Sequence, residues 1–143
     1  MKIVIFLATL TTVLTARVQF KDCGSVGATI NWIDINTCTS EPCPLPRNKN
    51  ITVDVNFAAK EDVSSANNKV YGIIGGVPIA FPVQPDACKD MPCPITSGQT
   101  VSYKNEIHVL SSYPKIRVVV QWEVVDSSGN MVFCFQVPAQ ITD

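Results

Sequence analysis

The chain is 143 residues long, which bounds it to one domain of ordinary size. Eleven basic and twelve acidic residues leave a formal net charge of −1, so there is no basic footprint for nucleic acid or for an anionic membrane surface. After the first sixteen residues no run is long and apolar enough to anchor the chain in a bilayer.

MKIVIFLATLTTVLTA (Met1–Ala16) carries one lysine, then an apolar run, then a small residue, which is the pattern of a cleavable secretory signal. Residues 17–143 then form the mature domain. A secreted destination turns the six cysteines, Cys23, Cys38, Cys43, Cys88, Cys93 and Cys134, into a disulfide set with 15 formal pairings. Zinc is a weak alternative, because the chain has no C-x-x-C and a single histidine. Cys38-TSEP-Cys43 and Cys88-KDMP-Cys93 are matching short loops, each with a proline just before its second cysteine. Local closure of each loop is the simplest assignment, and it leaves Cys23 to join Cys134. A bridge over so long a loop is worth about 4–5 kcal/mol in the chain-entropy model.

Between the cysteines the hydrophobic period is two. Strands are expected at Val18–Asp22, at Val26–Ile35, and at Ile51–Phe57, where Ile51, Val53, Val55 and Phe57 alternate with polar residues. The polar run KEDVSSANNK (Lys60–Lys69) reads as a loop, and Lys69–Ile74 as the next strand. Val101, Tyr103, Ile107 and Val109 share the apolar face of a further strand, which Asn105 interrupts. Ile116–Val124 and Met131–Val137 follow, joined by a turn at Asp126–Asn130. No stretch reads as an amphipathic helix. Seven or so short half-buried strands indicate an all-β, immunoglobulin-like antiparallel sandwich. The long-range cysteine pair lies near the chain ends, unlike the internal pair of a true immunoglobulin domain, which disfavours an adhesion module.

One stretch conflicts with an ordinary core strand. In VYGIIGGVPIAFPVQPDACKDMPC (Val70–Cys93), Pro78 and Pro82 remove ladder donors and push the run to a sheet edge. Gly75 and Gly76 let the backbone turn. Val77, Ile79, Phe81 and Val83 nevertheless make that edge apolar, which invites aggregation unless something covers it. The run is either a hairpin arm folded over a solid core or the lip of an internal cavity.

The inventory of reactive groups is thin. His108 falls on the polar side of its strand and reads as a solvated residue, and Glu61-Asp62 sits in the polar loop. The sequence has no G-x-S-x-G, P-loop, G-x-G-x-x-G or H-E-x-x-H pattern. No enzyme, cofactor or metal site is expected. Asn50-Ile51-Thr52 is a glycosylation sequon at the start of a strand.

VQFKDCGS (Val18–Ser25), the two cysteine loops, GVPIAFP (Gly76–Pro82), SYP (Ser112–Pro114), VVVQWEV (Val118–Val124) and FCFQVPAQI (Phe133–Ile141) together closely resemble the Niemann–Pick type C2 sterol-transfer proteins. These belong to the ML lipid-recognition domains, with the group 2 mite allergens. The resemblance runs in order from about Val18 to Ile141. It implies two splayed sheets holding one lipid, with bridges pairing first to last, second to third and fourth to fifth. It also implies that Phe81, Val109 and Tyr113 bound the ligand slot and that Tyr103 and Trp122 line its walls. Phe135, standing where the vertebrate proteins carry tryptophan, joins that ligand-binding set. Asp54 occupies the place of a glycosylated asparagine in those proteins. The implied role is a secreted carrier of cholesterol or a related sterol, with the lysosomal lumen as a second destination. The partners implied are the lipid itself and a membrane sterol transporter acting as receptor, and the carrier is expected to be monomeric. Arthropod relatives imply an alternative, the sensing of semiochemicals or of microbial lipids such as lipopolysaccharide.

Overall fold

The computed structural model describes residues 17–143; the signal segment expected over Met1–Ala16 lies outside the described residues. Among the described residues nine strands run in chain order: β1 (Lys21–Asp22), β2 (Ala28–Ile35), β3 (Cys43–Pro46), β4 (Asn50–Ala59), β5 (Ala66–Ile74), β6 (Val77–Phe81), β7 (Thr100–His108), β8 (Arg117–Asp126) and β9 (Met131–Thr142). One 3-10 turn, Ala87–Lys89, opens the loop between the fourth and fifth cysteines. The larger sheet is ordered β1-β9-β8-β5-β6, and the smaller one β2-β4-β7. They face each other as the antiparallel sandwich that the alternation predicts.

The alternation sets the inner faces. Ile51, Val53, Val55 and Phe57 of β4 are buried, as are Val101, Tyr103 and Ile107 of β7, and they meet Trp122 and Val124 of β8 and Phe133 and Phe135 of β9. The aromatic centre is tightly packed. Tyr103 lies edge-on to Phe133 at 5.3 Å between ring centroids, and Trp122 stacks on Phe135 at 6.2 Å. Bridges join Cys23 to Cys134, Cys38 to Cys43 and Cys88 to Cys93, the pairing that the loop spacing predicts.

Three departures have physical causes. β3, sequence CPLP, is absent from the alternation reading because two prolines disguise it. It runs parallel to β9, so the larger sheet is not purely antiparallel. β5 begins at Ala66, inside the polar run expected to be a loop, because Asn68 points inward and finds hydrogen-bond partners there. β9 continues past Pro138 to Thr142. Pro138 lies between the end of the β1 pairing at Gln136 and the start of the β3 pairing at Ala139, where a missing N–H is tolerated. In addition, the strand expected from Val18 shrinks to Lys21–Asp22, although the Val18 N–H still donates to the Ile33 carbonyl.

Candidate functional site

At one end of the sandwich the sheets part around a cavity of about 190 Å³. Val118 and Val120 of β8 and Val70 and Gly72 of β5 form one wall, and Ile107 near the end of β7 and Val109 just beyond it face them. A Cβ on Gly72 would come within 3.1 Å of Val118 Cγ2, so the missing side chain keeps this wall flat. Ile79–Phe81 of the edge strand β6 form the lip, as the second reading of the proline-stiffened run requires. Gly75 and Gly76, both at positive φ, make the turn into β6 that a side chain would strain.

Phe81, Val109 and Tyr113, predicted together, do come together. The Phe81 and Tyr113 rings meet edge to face with centroids 5.9 Å apart, one on β6 and the other on the segment after β7. Val109 is 3 % exposed between them, its N–H donating to the Lys49 carbonyl and its own carbonyl accepting from the Asn48 N–H. Trp122 and Phe135 bound a separate void of about 20 Å³, whose walls share Leu45, Ile107 and Val120 with the larger cavity. Neither ring lines the larger cavity itself.

Tyr103 lies apart from both spaces and belongs to a buried polar cluster instead. Its hydroxyl donates to Asn68 Oδ1 at 2.6 Å and accepts from Trp122 Nε1 at 2.9 Å and Asn105 Nδ2 at 3.2 Å. One Asp90 oxygen, in the Cys88–Cys93 loop, accepts from Asn68 at 2.7 Å, Asn105 at 3.2 Å and Gln84 at 3.4 Å. Burial raises the Asp90 carboxyl above its ordinary value, against the lowering effect of its donors, and nearby Asp86 adds to the rise. Burial likewise pushes the Tyr103 hydroxyl up. Asn105 therefore does not spoil the apolar face of β7; its amide donates to the Tyr103 hydroxyl and to Asp90, so the buried polar group is paired.

Sequence reasoning missed Leu45, Tyr71 and Ile141 as cavity residues. Leu45 sits in the disguised strand β3, and Ile141 in the part of β9 beyond Pro138. His108 is exposed, with Nδ1 2.7 Å from Asn50 Oδ1. Asn50 is exposed as the first residue of β4. Among the described residues no group of three or more His, Cys, Asp or Glu side chains is placed to hold a metal ion.

An apolar slot between splayed sheets, lipped by a proline-stiffened edge and closed by two aromatics, now has a sequence counterpart. The profile of the ML domain matches residues 17–141. The chain belongs to the ML-domain family. Over 139 residues it is 37 % identical to NPC intracellular cholesterol transporter 2 of Bos taurus, covering 96 % of this chain and 93 % of that protein. It is 39 % identical over 138 residues to the ecdysteroid-regulated 16 kDa protein of Manduca sexta, covering 91 % and 94 % respectively. The crystal structure of a Niemann-Pick type C2 protein from Japanese carpenter ant superposes with a TM-score of 0.81 at 29 % identity, covering 87 % of this chain and all of that one. The ML-domain fold thus accounts for the immunoglobulin-like sandwich and for the cavity at its open end.

Proposed function

We propose that this protein binds a sterol, cholesterol or a close relative, in the cavity between its sheets and carries it between membranes. One observation carries the reading: the cavity is walled by aliphatic and aromatic side chains, with Tyr71 and Tyr113 its only hydroxyl-bearing residues among those described. Such a slot suits a rigid hydrocarbon with a single polar end, and the transporter name of the cattle relative supports the choice of sterol. The cavity of about 190 Å³ is smaller than the roughly 300–1,000 Å³ usual for ligand pockets, so the ligand enters by pushing the Phe81 and Tyr113 flaps apart. No catalytic step is assigned; the work done is desolvation.

In this reading Met1–Ala16 directs the chain to secretion, and the lysosomal lumen is a second destination. The carrier acts as a monomer and hands its cargo to a membrane sterol transporter, with Asn50 glycosylated on the way out. The test is to extract the purified secreted protein, identify copurified lipid by mass spectrometry, and measure fluorescent-sterol binding against cholesterol, fatty-acid and lipopolysaccharide competitors. Recovery of a sterol, displaced best by cholesterol, is expected. Recovery of a different lipid, or displacement by lipopolysaccharide alone, overturns the sterol reading, and a protein that binds no lipid overturns the carrier.

A further inference from the structure

We infer that Arg47 is the positioning residue of the mouth: its guanidinium holds the Leu110–Lys115 flap, and with it Tyr113, and so sets how fast ligand enters and leaves. The inference rests on the lipid-carrier reading above and assigns a residue that lines no part of the cavity.

The flap is a weakly tied piece of chain. On one side it is anchored at Val109, through the backbone bonds to Asn48 and Lys49, and on the other at Ile116, whose carbonyl accepts from the Ile141 N–H. Between these anchors, the backbone bonds of the flap are local. The Tyr113 N–H donates to the Leu110 carbonyl, and the Ile116 N–H to the Pro114 carbonyl. Tying the apex to the body falls to side chains. Arg47 Nη1 donates to the carbonyls of Ser111 and Tyr113, each at 3.3 Å, and Nη2 pairs with the Asp143 carboxylate. Lys115 Nζ reaches the other Asp143 oxygen at 2.9 Å, so flap and turn converge on one carboxylate.

The sequence places Arg47 for this task. β3 ends at Pro46, the Arg47 N–H donates to the Thr142 carbonyl at 2.9 Å, and Asn48 turns the chain at φ 61°. That turn fixes the arginine stem beside the flap rather than in solvent. A guanidinium presents its donors in a rigid plane and can serve two carbonyls and a carboxylate together; a lysine ammonium is a point charge on a flexible stem. Because Tyr113 closes against Phe81, whatever holds the Tyr113 backbone also holds the mouth shut.

The test uses Arg47→Met, which keeps the stem and removes the fork, and Arg47→Lys, which keeps the charge. Amide hydrogen exchange on the unliganded protein should show Tyr113 and Ile116 exchanging about tenfold faster in Arg47→Met, with Val118–Val124 of β8 unchanged. Stopped-flow transfer of dehydroergosterol to and from phosphatidylcholine vesicles should show uptake and release both faster, by roughly five- to tenfold, with the equilibrium affinity within about threefold. Arg47→Lys should recover the wild-type melting temperature but neither the flap protection nor the slow transfer. Unchanged flap exchange in Arg47→Met, uniformly faster exchange across both sheets, or full rescue by lysine would each overturn the assignment. If the wild-type protein itself takes up no dehydroergosterol, the carrier reading fails instead, and flap exchange alone decides whether Arg47 holds Tyr113.

Discussion

Val109→Phe separates a real cavity from a solid core. Val109 is 3 % exposed, and its side chain bounds the space of about 190 Å³ beside Phe81 and Tyr113. Phenylalanine adds four carbons. At interior packing density the larger side chain takes up roughly 50 Å³ more, about a quarter of the room available. The backbone at Val109 stays fixed by its bonds to Asn48 and Lys49, so the ring turns into the empty space. The variant should therefore melt within a few degrees of wild type and lose sterol binding at least about a hundredfold, since ligand and ring compete for the same volume. In a filled core the same change overpacks, at a cost of about 1–3 kcal/mol. For a domain of this length each kcal/mol lowers the melting temperature by roughly 3–6 °C. Thermal melts and fluorescent-sterol titration decide the matter. A variant that melts far lower refutes the free space beside Val109, and one that melts normally yet still binds sterol refutes its place in the site.

Three further substitutions probe the rest of the reading. Phe81→Ala removes one of the two rings over the mouth and should weaken sterol binding by roughly 1.5–3 kcal/mol, about tenfold to a hundredfold, with the fold intact; an unchanged dissociation constant would remove Phe81 from the site. Tyr103→Phe strands Trp122 Nε1 and Asn68 Oδ1 and should cost about 2–4 kcal/mol in denaturant melts while leaving sterol affinity alone. Lost affinity in a still-folded Tyr103→Phe would put the tyrosine in the cavity wall after all. Asp90→Asn tests linkage. The folded protein raises the Asp90 carboxyl above 3.8 through burial first, so the stability tied to its proton is full below that value and lost as pH rises through the raised one. The amide that replaces the carboxylate keeps an acceptor oxygen without the charge, so this variant should melt above wild type at pH 7, and the gap should close as the pH approaches 3.8. A gap that widens on acidification refutes the sign.

The sandwich was legible because most strands bury one face and wet the other, so β4 and β7 announce themselves by period two alone. The bridges were legible from two matching loops. β3 was not, since Pro44 and Pro46 remove donors and look like loop chemistry until a parallel partner, β9, is known. Asn68 and Asn105 were not, because a polar residue on an apolar face reads as a break unless its partners are known, and those partners lie on other strands and in the Cys88–Cys93 loop. Tyr103 shows the same limit: alternation says that a side chain points inward, and cannot say whether inward means a wall of empty space or the packed, hydrogen-bonded centre in which this one lies.

That distinction is what the structure adds, and it lies along single strands. On β5 the inward face passes from Asn68 through Val70 to Gly72; on β7 it passes from Tyr103 and Asn105 to Ile107, with Val109 just past the strand end; on β8, read backwards, from Trp122 to Val120 and Val118. In each case a few residues separate a filled polar end from an apolar opening. At the polar end the sheets are cross-linked through Tyr103, Asn68, Asn105 and Asp90, where parting them would strand buried donors at a cost of about 1–3 kcal/mol each. At the other end apolar contacts, the Phe81–Tyr113 pair and the Arg47 bonds to the Ser111 and Tyr113 carbonyls oppose separation, and on the proposed reading a hydrocarbon ligand replaces the apolar contacts as it enters. The same strands are thus fixed where they bond and freer to part where they do not, which on the proposed reading lets a cavity smaller than a sterol open without unfolding.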